Sequence, residues 1–184
     1  MRETPLNAEA RRTAALALWR YSHDYLKAAQ ALCQTNLIAS NESQALYHLA
    51  AQGIEFALKS FLRARGVSQD DLSTHMGHSL ADALQEAIVR GLPLPPVDVV
   101  SAIQFIAPHH RNDQFHYVAA RRGEFPDLTP LLAAGMWILD QIAAEVVADY
   151  FVHQGRDSAA AGDDMLRRMR ADLNPLAGKY QPLQ

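Results

Sequence analysis

The chain has little cysteine, little net charge and no long uninterrupted apolar run. Its one cysteine, Cys33, excludes an internal disulfide and fits a reducing compartment. A formal net charge of −3 argues against a protein that coats nucleic acid by charge alone, although it leaves room for a small basic cleft. No run approaches the roughly 18 apolar residues of a membrane span, and the charged start of the chain is unlike a secretory signal. Composition therefore predicts a soluble, cytoplasmic protein that does not contact a membrane.

Strand-like alternation is also lacking, whereas apolar residues recur at helical spacing along most of the chain. With 184 residues, 49% of them hydrophobic, the chain can bury one good core. Capping residues, glycines and prolines divide it into helices predicted at 7–34, 41–65, 78–90, 97–107, 129–153 and 163–173. A polar loop at 68–77 and a disturbance at Pro108 are expected between them. The fold class predicted is all-α, an antiparallel four- to five-helix bundle over 1–153, followed over 154–184 by a flexible hinge, a short C-terminal helix and a tail.

Two helical faces are specific enough to predict core positions. In the first helix the apolar stripe comprises Leu18, Tyr21 or Ser22, Tyr25, Ala29 and Leu32. In the second helix the inner face comprises Leu46, Leu49 or Ala50, Gly53, Ala57 and Phe61, flanked by Ile54, Leu58 and Leu62. Nothing interleaves the large aromatics with basic residues, so they are interpreted as core or interface side chains: Trp19, Trp137, Phe105 and Phe151.

The segment from His109 to Tyr117 carries the residue types with the most chemistry. Arg111 has a planar, permanently charged guanidinium group that can bind phosphate, and His116 has a side chain that exchanges protons near neutral pH. The spacing of an arginine and a histidine is common by chance, and Asn112 beside the arginine makes the pattern rarer. The segment is a functional candidate only if its structural setting supports it.

The second helix supplies part of that setting. It reads Gly53-Ile54-Glu55-Phe56-Ala57-Leu58-Lys59 before Phe61 and Leu62, and His78-Ser79-Leu80 with Leu84 follows after a loop. This order of motifs, followed by Arg111, Asn112 and His116, resembles the HEPN superfamily of small helical-bundle domains over about residues 10–153. The tyrosine that several toxin-type members place two residues after the histidine is here Tyr117, directly after it.

The resemblance implies a metal-independent endoribonuclease without a cofactor, active as a homodimer whose cleft pairs two copies of the motif. The resemblance assigns the catalytic roles to Arg111, Asn112 and His116, with Asp113 and Tyr117 as supporting residues. It implies RNA or a nucleotide as ligand, and an antitoxin or a nucleotidyltransferase as a possible partner of a toxin or defence protein. A non-catalytic HEPN module that binds a nucleotide or a protein partner, and a purely structural helical dimer, are the alternatives.

Each candidate residue also has a structural interpretation. Arg111 would pair with helix-end carbonyls or Asp113, and His116 would be a loop histidine held by a backbone hydrogen bond. Glu55 and Lys59 are spaced as an i,i+4 ion pair, which predicts either a surface pair or a supporting pair that faces the motif and holds Arg111.

The motif also contains residue types that bind metal ions, namely His109, His110, Asp113 and His116. No Glu-x-x-His or cysteine pair supports a dedicated metal site there, so none is expected.

Overall fold

The computed structural model describes residues 5–34, 44–111, 128–153 and 159–177, and every regular element within these ranges is helical. The predicted all-α bundle is confirmed. The elements are α1 (Pro5–Cys33), α2 (Gln44–Ala64), α3 (Gln69–Asp71), a π-helical segment (Leu72–Met76), α4 (Leu80–Val89), α5 (Val97–Arg111), α6 (Thr129–His153) and α7 (Ala159–Ala177).

Helices α2 and α6 form the centre of the bundle. Helix α2 packs against α1, α4, α5 and α6, and α6 packs against α1, α2, α5 and α7. The predicted inner face of α2 is confirmed, since all of its members are buried except Leu49, which is partly buried. Because α2 touches both α4 and α5, side chains on that side of α2 can meet residues from two later parts of the chain.

Leu26 of α1 lies where three helices come closest together. A Cβ atom added at Gly53 of α2 would lie 2.7 Å from Leu26 Cγ, and one added at Gly135 of α6 would lie 2.7 Å from Leu26 Cδ1. Beside this contact, Ser22 Oγ donates a hydrogen bond of 2.7 Å to the carbonyl of Gly53. The two glycines therefore provide the space in which α1 packs onto α2 and α6.

The buried face of α1 confirms the predicted stripe only in part. Ser22, the alternative to Tyr21, and Ala29 are buried, whereas Tyr21 is 54% exposed and Leu18, Tyr25 and Leu32 are partly buried. The face comprises Ala15, Leu16, Trp19, Ser22, His23, Leu26, Ala29 and Gln30. Side chains with polar atoms can face the core here because those atoms form hydrogen bonds with other helices. Trp19 Nε1, for example, donates a hydrogen bond of 3.2 Å to the carbonyl of Leu139 in α6. Of the other aromatics, Trp137 and Phe151 pack partly buried on the core, whereas Phe105 is exposed. Cys33 is partly buried against the core.

Helix ends agree well with the sequence signals, and three segments differ. Gly66 and Gly91 follow α2 and α4 with φ of +83° and +98°, the left-handed conformation that favours glycine. The predicted polar loop at 68–77 is instead largely helical, because Ser68 caps α3 by accepting a hydrogen bond from the amide of Asp71. Helix α5 also continues through Pro108 to Arg111.

The predicted hinge is the third difference. Helix α7 begins at Ala159, within the segment expected to be a hinge, and the alanines there are strong helix formers. Met169 and Leu173 are buried in the same core as α6. Arg167, Arg168 and Arg170 are exposed as expected, and Arg170 makes an ion pair with Asp140 of α6 at 3.2 Å.

Helix α6 is long and apolar enough over Thr129–Val152 to cross a membrane by length and composition alone. More than half of its most apolar window is buried against other helices, which is the behaviour of a core helix in a bundle.

The close packing around Leu26 predicts that Gly53→Ala destabilises the fold. Alanine gains about 1 kcal/mol of helix propensity over glycine, but overpacking costs roughly 1–3 kcal/mol, so we expect a net loss of up to about 2 kcal/mol in urea unfolding. Gly162→Ala in α7 is the matched control, because its new Cβ would have its nearest neighbour at 3.8 Å and should stabilise. Equal stabilisation by both substitutions would show that the helices do not approach as described.

Candidate functional site

Glu55 is a carboxylate on the apolar inner side of α2. It is 2% exposed, and the residues one turn before and one and two turns after it on the same face are Ala51, Leu58 and Leu62, all fully buried. A buried carboxylate is costly unless its oxygens are paired. The surroundings of Glu55 therefore require partners close by.

Three side chains provide those partners. Lys59, one turn along α2, places Nζ 2.5 Å from Oε1 of Glu55. His78 places Nδ1 3.0 Å from Oε2, and Nε2 of His110 makes a short contact with the same oxygen. We call these four residues the Glu55 cluster. They join α2, the turn before α4 and the end of α5.

The turn that carries His78 is held on both sides. The π-helical segment ends at Gly77, whose φ of +50° lies in the left-handed region. Ser79 then caps α4, and Leu80 and Leu84 anchor that helix in the core. His78 itself has a side chain that is 65% exposed, so it forms the solvent side of the cluster.

Helix α5 places His110 on its buried face. Ile103, Ile106 and His110 follow one another at helical spacing, and all three are buried. The rings of His78 and His110 are perpendicular with centroids 5.8 Å apart, and His48 lies 6.4 Å from His110 on another side. We attribute the continuation of α5 through Pro108 to this anchoring, because an interior proline alone costs roughly 3 kcal/mol.

The charge balance of the cluster follows from these contacts. Burial by itself raises the pKa of the Glu55 carboxyl, but hydrogen bonds from His110, Lys59 and His78, together with the positive charge of Lys59, outweigh it. The pKa of Glu55 is lowered from 4.5 to about 2. Glu55 is therefore a carboxylate throughout the physiological range, and the lysine charge beside it is matched.

The structure confirms the i,i+4 pairing of Glu55 with Lys59 and shows that Glu55 is buried and Lys59 partly buried. The two side chains are 3% and 14% exposed, so a plain surface pair is ruled out. The partner from the later part of the chain is His110, the residue directly before Arg111. Glu55 therefore contacts the residue next to Arg111.

The motif residues themselves fall at the edge of the structure. The backbone of Arg111 ends α5, whereas its side chain and Asn112, Asp113, His116 and Tyr117 lie outside the described residues. Of the candidate residues within the described ranges, Glu55 and Lys59 are brought together.

The sequence does not predict that His78 and His110 meet Glu55. His78 belongs to the His-x-Leu motif after the loop, and His110 stands beside the motif residues Asp113 and His116. Glu55 lies at a helical position surrounded by apolar residues, which signals burial and the need for partners. Which partners these are depends on contacts 23 and 55 residues away, and local patterns do not encode them.

Removing the charge of Glu55 tests the cluster. We expect Glu55→Gln to lower the free energy of unfolding by roughly 3 kcal/mol, because it leaves a partly buried lysine without its counterion. The matched control is Glu86→Gln, which breaks another i,i+4 pair, with Arg90, on the surface and should cost about 0.5 kcal/mol or less. Urea unfolding of both variants measures the contrast, and equal effects would contradict the burial of the cluster.

The lowered pKa of Glu55 also predicts a pH dependence. Because the folded pKa is below 4.5, the stabilisation is complete above about pH 4.5 and is lost as the pH falls through about 2. In buffer with a chelator, the difference in unfolding free energy between wild type and Glu55→Gln should shrink across this window. The difference for Glu86→Gln should be small throughout. A Glu55→Gln difference that stays constant to about pH 2.5 would sink the assignment.

Comparisons of this chain with protein-family models, with curated proteins and with solved structures found no match. A functional interpretation therefore depends on the chemistry of the Glu55 cluster and of the Arg111–His116 motif, together with the resemblance noted in the sequence.

Proposed function

We propose that this protein is a metal-independent endoribonuclease of the HEPN type. The observation that supports the proposal is the buried contact of Glu55 with His110. It fixes the end of α5 to α2 directly before Arg111, so the motif begins at an anchored position. A catalytic arginine needs such support, because positioning contributes much of the rate enhancement in phosphate chemistry.

In the proposed reaction the nucleophile comes from the substrate. The 2′-hydroxyl of RNA attacks the adjacent phosphorus while a base removes its proton, and the 5′-oxygen of the next nucleotide leaves as an acid protonates it. The products are a 2′,3′-cyclic phosphate and a 5′-hydroxyl. The protein has to supply only proton transfer and charge stabilisation.

The motif residues match these two tasks. His116 acts as general base or acid, and Arg111 stabilises the negative charge of the pentacoordinate transition state. Asn112 orients the arginine or the phosphate by hydrogen bonding. In a homodimer, two copies of His116 provide both the base and the acid.

The burial of Glu55 and Lys59 supports a role in position rather than in the reaction itself. Glu55 is buried and Lys59 partly buried, and the strongly exposed member of the Glu55 cluster is His78. Glu55 therefore acts on the motif through His110, which makes it a positioning residue in this proposal.

The decisive assay is incubation of purified protein with total RNA in a chelator. We expect wild type to cleave and to leave cyclic phosphate ends. His116→Ala should lose a factor of about 10²–10⁴, and Arg111→Ala a factor of about 10²–10³. His75→Ala is the matched control, because His75 is an exposed histidine outside the Glu55 cluster and should retain activity.

Equal cleavage by wild type and His116→Ala would rule out the proposed chemistry. RNA or nucleotide binding without cleavage by wild type would favour the non-catalytic binding module instead.

A further inference from the structure

The Glu55 cluster contains three groups of the kind that bind transition metals. One carboxylate oxygen of Glu55, a ring nitrogen of His78 and a ring nitrogen of His110 all lie within 4.8 Å of one another. Nδ1 of His78 is 3.0 Å from Oε2. Ligand atoms held about 2.0–2.1 Å from one ion lie roughly 3–3.4 Å apart, so small side-chain movements suffice to enclose an ion here.

We propose that Glu55, His78 and His110 form a binding site for a divalent transition-metal ion such as Zn²⁺. Two imidazoles and one carboxylate are borderline nitrogen and oxygen donors that suit zinc, iron, cobalt and nickel. Mg²⁺ and Ca²⁺ prefer sites made of oxygen ligands, so this set disfavours them. The inference is independent of RNA cleavage, which needs no ion.

The two histidines reach the same carboxylate oxygen from different elements. When their protons lie on these nitrogens, both imidazoles donate hydrogen bonds to Glu55. In the other tautomers, the lone pairs of His78 Nδ1 and His110 Nε2 face Oε2 of Glu55. An ion bound between these three atoms would replace the two protons. The site therefore exists in a hydrogen-bonded form that is ready to accept a metal.

Lys59 holds the carboxylate in a monodentate orientation. Its ammonium group donates a hydrogen bond to Oε1 of Glu55, while Oε2 faces the imidazoles of His78 and His110. Hydrogen bonds to the second oxygen are the usual way in which a ligating carboxylate is oriented. The same ammonium group carries a positive charge close to the ion, so it also weakens binding.

The burial of the ligands suggests how an ion enters. Glu55 and His110 have side chains that are each 3% exposed, whereas that of His78 is 65% exposed. An ion thus reaches two buried ligands from the His78 side and keeps positions open for water. Three protein ligands with open positions are typical of reactive metal sites, whereas closed structural sites have four.

Metal binding would connect the same three elements that the Glu55 cluster joins. An ion held by α2, the turn before α4 and the end of α5 stabilises the fold by an amount that grows with the logarithm of the free metal concentration above Kd. It also fixes the residue directly before Arg111. Stability is therefore a readout that does not depend on any activity.

The test uses tag-free full-length protein stripped with a chelator. Titration calorimetry with Zn²⁺ should show one ion per chain, and Zn²⁺ should raise the unfolding temperature. His78→Ala should weaken binding at least about tenfold, because losing even an outer-shell partner of a metal ligand typically costs 10–100-fold. His78 is exposed enough for this variant to fold. His75→Ala, three residues away and outside the cluster, should bind as wild type does.

A second measurement separates a metal site from a hydrogen-bonded cluster. Cobalt absorption spectra should show nitrogen and oxygen ligands in the wild type. Absence of one-to-one binding, equal affinity of wild type and His78→Ala, or cobalt spectra without nitrogen ligands would each overturn the proposal.

Discussion

Glu55 is a charged group in the interior of a helical bundle, and its carboxylate must be paired for the fold to form. It takes partners from its own helix and from two later parts of the chain, so one side chain determines how α2, the turn before α4 and the end of α5 meet. Replacing a buried ionic cluster with apolar residues is often neutral or stabilising. Stability alone therefore does not account for a carboxylate, a lysine and two histidines in this place, and perturbed buried groups of this kind are frequent at functional sites.

The fold makes the cluster possible through the central position of α2. One face of α2 receives α1, with Leu26 packed against glycines of α2 and α6, and the opposite side is free to meet α4 and α5. The turn that carries His78 follows a π-helical segment, a feature that often occurs near functional sites. Nuclease and metal proposals draw on the same geometry in different ways. The nuclease needs the cluster as an anchor for Arg111, whereas the metal site uses its ligand atoms directly.

The sequence predicts the helices and the inner face of α2 well, because both depend on local periodicity and on glycine signals such as Gly66 and Gly91. The prediction is wrong at Pro108, and the predicted stripe of α1 is fully buried only at Ser22 and Ala29, because tertiary contacts outweigh local preference there. Helix α5 continues because His110 is anchored, and α1 turns Trp19 inward because its indole finds a carbonyl of α6. The spacing of Glu55 and Lys59 predicts their pairing, but their meeting with His78 and His110 depends on packing between distant segments. The roles of Arg111, Asn112 and His116 stay predictions from the resemblance.

The central claim is that the Glu55 carboxylate and the His110 imidazole interact directly in the folded protein. A double-mutant cycle of Glu55→Gln and His110→Ala, measured by urea unfolding in a chelator, isolates this interaction from the cavity that the alanine leaves. We expect a coupling energy of roughly 0.5–3 kcal/mol, the range seen for groups in one hydrogen-bond network. Additive effects of the two substitutions, with a coupling energy near zero, would contradict the account.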